Sequence, residues 1–197
     1  NLSLYIGDGQ TIARVDENGI FFEKTITVLE PEEIQTMVDF DIDILIGTKE
    51  GSKGKVWRWD SISPLPSAVD EIDEQGINAF IKDDNFVYVQ AGSYGRLYFY
   101  NGEKLEPFKR IPGNWSPTSK AIINQDAVGF WLGTPVFGLS SEVGNPTLQG
   151  IYGFGSYGVN YPKTLSLDFP MPSGEFDNVE IGSCLLYTSD AADEEDS

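Results

Sequence analysis

The sequence contains no histidine among its 197 residues. This absence excludes Ser-His-Asp and Cys-His nucleophilic catalysis, histidine general bases and histidine-ligated zinc from the chain. There is one cysteine, Cys184, so no internal disulfide can form. No apolar run approaches the roughly 18 to 20 residues that a membrane-spanning helix needs. The catalytic chemistry open to this chain is therefore narrow.

Basic residues are also scarce, with 13 Lys and Arg against 31 Asp and Glu and a net charge of −18. Such a surface repels phosphate backbones, so we expect no nucleic-acid partner. Anionic membranes are disfavoured for the same reason, and we expect no membrane association. The simplest interpretation of the acidity is a solvated surface that keeps the protein soluble. A hydrophobic content of 40% is typical of a globular protein with a core.

The two ends of the sequence differ from the rest. The eleven residues "CLLYTSDAADE" at 184–194 resemble the translated end of a transposase-based sequencing adapter, read in frame after a genuine open reading frame. We therefore interpret 184–197 as a non-native, disordered tail, with a natural acidic tail as the alternative.

The opening "NLSLYIGDGQ" shows no signal peptide and begins in the middle of a strand pattern. This start predicts a natural N-terminus further upstream.

One pattern recurs along the chain: an alternating apolar run, a glycine, a short loop, a second alternating run and an Asp/Asn/Gly turn. Aligned on the glycine, the copies are 40, 45 and 46 residues apart, at Gly7, Gly47, Gly92 and Gly138. The runs "KVWRWD" and "RLYFYNG" alternate side-chain types and are rich in aromatic and β-branched residues, which favours strands. The Asn-Gly pair that ends the second run is typical of a tight hairpin turn. Each copy therefore predicts a unit of four antiparallel strands.

Four-stranded units with a period of about 40 to 45 residues are typical of a β-propeller. We predict an all-β fold, a partial β-propeller of about three to four four-stranded antiparallel blades, with open edges on the terminal blades. A β-sandwich with similar hairpin spacing is the alternative. The propeller fragment spans 1–183, with blades at 1–31 (incomplete), 32–76, 77–120 and 121–172, and with 179–183 opening a further blade.

The sequence resembles the general propeller pattern in which the third strand ends in an apolar-x-apolar-(Asp/Asn)-(x)-Gly turn. It lacks the Gly-His marks of WD40 repeats, the paired glycines of kelch repeats and the Asp-box of sialidases. The stretches "GRLYFYNG" (95–102) and "FKRIPGNW" (108–115) are similar to uncharacterised propeller-like proteins in bacteriophage-derived environmental sequence, including virion and tail-associated ones. This resemblance implies a virion or extracellular setting, and it implies no particular activity.

The segment "DFDID" is a candidate metal site. Side chains alternate along a strand, so Asp39, Asp41 and Asp43 are predicted on one side, where three carboxylates could bind Ca²⁺. The alternative is a solvated hairpin, because Asp is a routine turn residue. We expect no other cofactor, since "GDG", "GSKG" and "GSYG" are too short to hold phosphates and no helix follows them.

The loop "KRIPGNWSPTS" (109–119) is the strongest candidate for ligand binding. It carries Arg110, Asn114 and Trp115. Arg and Trp are enriched in binding hot spots, and a tryptophan can stack on a sugar face. The alternative is that Trp115 packs against the neighbouring blade. A second candidate recognition loop is "SSEVGNPTLQ" (140–149).

From these features we predict a non-catalytic binding or structural module within a larger phage virion or tail-associated protein. Its expected partners are a protein or glycan surface ligand and further blades of its own chain. The alternative is a fragment of a carbohydrate-active propeller enzyme, a glycoside hydrolase or lyase-like protein, with its catalytic acids divided among blades. The acidic pairs at 70–74 and 83–84 lie beside turn signals, which favours loops over catalysts. Two or three acids converging with Trp115 in one cleft would support the enzyme.

Overall fold

The computed structural model describes residues 3–19, 21–27, 32–83, 86–131, 134–141, 149–154 and 165–170. Across these ranges the chain forms β-strands and one short 3₁₀ turn, Gln125–Ala127, with no α-helix. No helix in this part of the chain is long and apolar enough to cross a membrane. The prediction of an all-β protein is confirmed. The predicted tail at 184–197 and the strand at 179–183 lie outside the described residues.

Four antiparallel sheets follow one another along the chain, each built from consecutive strands. The first sheet contains β1 (Ser3–Asp8), β2 (Thr11–Asp16) and β3 (Phe21–Thr27). The second contains β4 (Glu33–Phe40), β5 (Asp43–Glu50), β6 (Lys53–Trp59) and β7 (Ser67–Ile72). The third contains β8 (Ile77–Lys82), β9 (Val87–Ala91), β10 (Arg96–Tyr100) and β11 (Leu105–Arg110). The fourth contains β12 (Ala121–Ile122), β13 (Val128–Trp131), β14 (Thr134–Ser141), β15 (Gly150–Phe154) and β16 (Leu165–Pro170).

The second and third sheets are four-stranded, as predicted. In the fourth sheet β12 and β13 both pair with β14, so together they occupy the place of a first strand. The first sheet has three strands, of which β1 corresponds in register to β5. Ile6 on β1 is 44% exposed, whereas its equivalent Ile46 on β5 is fully buried beside β4. Within the described residues no strand pairs with the outer edge of β1, and no sheet closes on itself.

The pairing of the last two strands shifts register at the same place in every sheet: by one residue, as a β-bulge, in the second, third and fourth sheets, and by two residues in the first. An extra residue in one strand bends it and increases its twist, so a shared bulge gives these three sheets a shared shape. The residue before the shift is Ile12, Val56, Leu97 or Ile151 in the successive sheets. The repeat inferred from the sequence is therefore present as a repeat of hydrogen-bond register.

The register corrects one part of the sequence alignment. The partners of the four residues before the shift are Gly7, Gly47, Gln90 and Gly138. In the third sheet, the register equivalent of Gly7, Gly47 and Gly138 is therefore Gln90. The sequence alignment, which placed Gly92 at this position, was wrong there. Gly92 is needed for another reason, since it turns the chain with a φ of 61°. An alignment based on glycines cannot distinguish a glycine at the shared register position from a glycine that turns the chain.

Neighbouring sheets meet through their first strands and share hydrophobic clusters. β4 lies against β1 and β8, and β8 lies against β13 and β14. Ile12, Ile46 and Trp59 fill the space between the first and second sheets. Leu45, Phe80 and Tyr100 lie among the residues between the second and third sheets, and Ile81, Leu97 and Phe137 among those between the third and fourth. Each fully buried side chain of this size contributes about 1.5 to 3 kcal/mol, so the inter-sheet contacts dominate the core.

Candidate functional site

Trp115 is part of the core. Its side chain is 4% exposed and packs in the cluster between the third and fourth sheets. The indole Nε1 donates a hydrogen bond of 2.9 Å to the carbonyl oxygen of Ile111. A Cβ on Gly95 would lie 3.0 Å from the ring, which shows how closely the backbone approaches it. The face of Trp115 that was expected to stack on a sugar is therefore covered. Trp115 packs against the neighbouring sheet, which was the alternative prediction.

Arg110 and Asn114, the other two candidates in this loop, are exposed. The Nε atom of Arg110 donates to the carbonyl oxygen of Tyr94 at 3.2 Å. The guanidinium of Arg96 lies 5.7 Å from the centre of the Tyr94 ring, so one arginine contacts the ring of this exposed residue and the other contacts its backbone. With Trp115 buried, these residues do not form the combined site expected from the sequence. Their role in ligand binding stays a prediction.

The three aspartates proposed to bind calcium take separate roles. Asp39 forms an ion pair with Lys82 of the third sheet, and the buried Asp43 forms one with Arg58. Asp41 occupies the hairpin turn with a φ of 57°, a conformation that Asp tolerates better than most residues. No group of three acidic, histidine or cysteine side chains in the described part of the chain is placed to hold a metal ion. The arrangement gives the calcium hypothesis no support.

A buried glutamate precedes the first strand of the second sheet. Glu32 is 2% exposed and accepts hydrogen bonds from Lys55 Nζ at 2.7 Å, Thr48 Oγ1 at 2.7 Å and Trp57 Nε1 at 2.8 Å. Hydrogen bonds to Glu32 and Glu50 raise the pKa of Lys55 above its usual range. The Glu32 carboxylate thus accepts hydrogen bonds from three side chains, one of which is a cation. Glu32 therefore serves to hold the sheet together.

The third sheet repeats this feature. Glu74 is 3% exposed and accepts a hydrogen bond of 2.5 Å from Arg96 Nη1. Arg96 and Lys55 are register equivalents, because each lies directly before the residue at which the shared bulge begins. Burial and the nearby carboxylate of Glu74 raise the pKa of Tyr98. The two buried acids that most resemble catalytic candidates are thus members of a repeated structural ion pair.

The second, third and fourth sheets meet at a cavity of about 510 Å³, here called the junction pocket. It is lined by Gln35, Asn78 and the segment 122–126. Gln35 and Asn78 are the extra residues of two equivalent β-bulges, one in β4 and one in β8. A bulge redirects a side chain that regular pleating would place elsewhere. The shared bulges therefore explain why two polar side chains from different sheets border one cavity.

Gln125 fixes the geometry of the junction pocket. Its Oε1 accepts hydrogen bonds from Phe80 N at 2.8 Å and Thr36 Oγ1 at 2.5 Å, and its Nε2 donates to Phe80 O at 3.1 Å. The amide thus pairs with the backbone of β8 as a neighbouring strand would, and it reaches β4 as well. One side chain of the fourth unit therefore ties three sheets together beside the cavity.

The junction pocket offers hydrogen-bond acceptors from Asn78 and Asp126 and both donors and acceptors from Gln35. Asn78 Nδ2 donates to Gln90 Oε1 at 2.8 Å and to Gly92 O at 2.7 Å. Both amide protons are thereby used, which leaves Asn78 Oδ1 as an acceptor. Gln35 and Asp126 are exposed and make no hydrogen bond with the rest of the described chain. Asp126 is the one ionisable side chain among the described lining residues.

Sequence reasoning did not single out Gln35, Asn78, Gln125 or Asp126. The available signal was weak: a polar residue follows isoleucine at the start of two apolar strands, in "IQTMV" and "INAFI". Gln125 carries no local signal, since its role depends on contacts 45 and 89 residues away. No protein-family profile and no curated protein matches the chain. The function must therefore be argued from the chemistry of the junction pocket and the arrangement of the sheets.

Proposed function

We propose that the four sheets are blades of a β-propeller and that the chain is a non-catalytic binding or structural module. The observation that carries the proposal is the meeting of the first strands: β4 and β8 contact each other, β8 contacts β13 and β14, and the junction pocket lies among them. Propeller blades are four-stranded sheets arranged around a central channel. The bulge that the second, third and fourth sheets have in common gives them the shared shape that such an arrangement requires.

The absence of paired acids at the junction pocket supports a non-catalytic role. Glycoside hydrolases need two carboxyl groups about 5 to 9.5 Å apart on either side of the scissile bond. Among the described lining residues Asp126 is the one acid. Two of the four acids at 70–74 are engaged in ion pairs away from the junction pocket, Glu71 with Lys53 and Glu74 with Arg96. The carbohydrate-active enzyme therefore has no specific observation in its favour.

The blade arrangement is tested by a crystal or electron cryo-microscopy structure of the protein encoded by the uninterrupted gene. We expect separate blades around one axis, with β4, β8 and β13 innermost. Strands of successive units joined into two stacked sheets would contradict the proposal.

A panel of oligosaccharides incubated with the same protein tests the non-catalytic role. Release of shortened products, detected by chromatography, would favour the enzyme.

The virion context is part of the proposal and depends on the resemblance of "GRLYFYNG" and "FKRIPGNW" to phage-derived proteins. The genes that flank the uninterrupted reading frame test it directly. Neighbouring genes for capsid or tail assembly would support a virion or tail-associated protein. A setting among genes for metabolic enzymes would contradict it. The same locus would also test whether residues 184–197 belong to the natural protein.

A further inference from the structure

We infer that the junction pocket binds an uncharged polyhydroxylated ligand, a saccharide unit, through Gln35, Asn78 and Asp126. The inference rests on the proposed binding function and names its ligand class. The cavity volume of about 510 Å³ lies within the roughly 300 to 1,000 Å³ of small-molecule sites. Its lining combines four amide side chains (Gln35, Asn78, Asn124 and Gln125) and the carboxylate of Asp126 with the partly buried side chain of Ile122.

Hydroxyl groups match the hydrogen-bonding groups that the junction pocket offers. Asn78 Oδ1 and the Asp126 carboxylate accept hydrogen bonds, while the Gln35 amide can both donate and accept. Each hydroxyl of a sugar donates one proton and accepts on its oxygen. Neighbouring hydroxyls can therefore satisfy all three side chains at once. Ile122 supplies an apolar surface for the C–H groups of the ring.

Other ligand classes fit less well. The negative charge of Asp126 and the net charge of −18 repel phosphate and sulfate groups. An apolar ligand would cover Asn78 Oδ1 without replacing its hydrogen bond to water, which is unfavourable. A cationic amine would find one carboxylate and no aromatic face among the described lining residues, and it would leave the donors of Gln35 unused. A neutral polyol has none of these mismatches.

Asn78 and Gln125 are held in place before a ligand arrives, whereas the exposed side chains of Gln35 and Asp126 have no hydrogen bond within the described chain. Asn78 is oriented by its hydrogen bonds to Gln90 and Gly92, and Gln90 Nε2 itself donates to Gly92 O at 3.0 Å and Ala121 O at 3.1 Å. Gln125 holds the backbone of β8 beside the cavity. Binding therefore costs little conformational freedom at Asn78, and the entropic cost falls on the side chains of Gln35 and Asp126. A ligand therefore requires no rearrangement of the three sheets.

The test is a titration of the 197-residue chain with neutral mono- and disaccharides, followed by two-dimensional ¹H–¹⁵N NMR. We expect saturable shifts of the side-chain amide signals of Gln35 and Asn78. Methylammonium and inorganic phosphate are titrated in parallel as probes of the other ligand classes. No saccharide binding at millimolar concentrations, or saturable binding of methylammonium or phosphate at these amides, would overturn the inference.

Substitutions of single lining residues test whether the saccharide binds in the junction pocket. Asp126→Asn and Gln35→Ala change exposed groups without hydrogen-bond partners in the described chain, so both should fold. Each should weaken saccharide binding about tenfold, as expected for loss of one good hydrogen bond in a desolvated contact. The matched control Asp73→Asn removes the same charge from an exposed position away from the cavity and should leave binding unchanged. Equal weakening in all three variants would contradict the assignment.

The outcome separates this inference from the proposed function. A saccharide that binds and is also cleaved would support the ligand class and refute the non-catalytic role. A chain that neither binds nor cleaves any saccharide would refute the ligand class and leave the propeller arrangement open to its own structural test. Binding that survives the Gln35→Ala and Asp126→Asn changes would place the saccharide elsewhere and overturn the inference.

Discussion

The second and third sheets share their strand order, their bulges and a buried carboxylate, but they contact the next sheet in different ways. At Gly47 of the second sheet, Ile77 of β8 packs directly against the backbone. At the equivalent Gln90 of the third sheet, the side chain donates to the carbonyl oxygen of Ala121. One contact is close van der Waals packing and the other is a hydrogen bond. The repeat therefore preserves backbone register, while the chemistry between sheets is free to change.

The largest expected effect comes from disrupting the close contact at Gly47. A Cβ there would lie 2.6 Å from Ile77 Cγ2 and 2.8 Å from Thr36 Cγ2. Gly47→Ala should therefore lower the free energy of unfolding by about 2 to 3 kcal/mol, because overpacking forces the second and third sheets apart. Urea denaturation monitored by tryptophan fluorescence measures the change.

The control for this prediction is Gly51→Asn in the neighbouring hairpin turn. Gly51 has a φ of 58° and no atom within 4 Å of an added Cβ, and Asn tolerates this conformation. Its effect should stay below about 1 kcal/mol. Equal losses at Gly47 and Gly51 would show that backbone conformation, and not contact between sheets, explains the glycine at position 47.

The next largest effect concerns Gln125, which links both compared sheets. Gln125→Ala would leave Phe80 N and Phe80 O without the amide and remove the acceptor of Thr36. We expect a loss of about 2 to 3 kcal/mol, because buried backbone groups would lack partners. Thr36→Val, which removes the bond to the second sheet alone, should cost about 1 kcal/mol. The exposed Gln35→Ala serves as the matched control and should change stability by less than about 0.5 kcal/mol.

A larger loss from Thr36→Val than from Gln125→Ala would contradict this account of the junction. It would mean that the amide of Gln125 is not the group that joins β4 to β8. Hydrogen exchange gives a second measurement, since the Phe80 amide should exchange faster in Gln125→Ala than in the wild-type chain. Unchanged exchange would show that another group satisfies the Phe80 backbone.

Much of the fold was predictable from the sequence because strands and turns have local signals. Alternating runs such as "KVWRWD" and "RLYFYNG" predicted β6 and β10. The Asn101-Gly102 pair lies at the predicted turn, but the tight hairpin was wrong, because the loop between the paired Tyr100 and Leu105 has four residues and Asn101 has no positive φ. Bulges have no such signal, so the alignment of Gly92 in place of Gln90 could not be corrected without the register. The junction pocket depends on bulges and on Gln125 contacts across the chain, and for that reason sequence patterns did not reveal it. Trp115 was a candidate for ligand binding because tryptophan is enriched in binding hot spots. The same residue type can equally pack in a core, and Trp115 is buried.

The repeated ion pairs offer a smaller test of the comparison. Glu32 accepts hydrogen bonds from three side chains, and the side chain of its partner Lys55 is largely buried. Glu74, in contrast, pairs with Arg96, whose side chain is half exposed. Solvent screening weakens the exposed pair. Glu32→Gln should therefore cost about 2 kcal/mol and Glu74→Gln about 1 kcal/mol in thermal or urea unfolding. The reverse order would indicate that the Arg96 pair contributes more despite its exposure.

The smallest expected effect is a difference in alkaline stability between the lysine and arginine versions of this pair. The carboxylates of Glu32 and Glu50 raise the pKa of Lys55 in the folded protein above its unfolded value of about 10.4. The stabilisation by Lys55 is therefore complete below pH ~10.4 and is lost as pH rises through the folded pKa. Lys55→Arg should weaken this decline in unfolding free energy above pH ~10.4, since arginine keeps its charge there. Partly buried Tyr98, whose pKa is also raised, contributes equally to both proteins, so the difference between their pH profiles isolates Lys55. Superimposable profiles would mean that the charge of Lys55 is not what stabilises the buried Glu32.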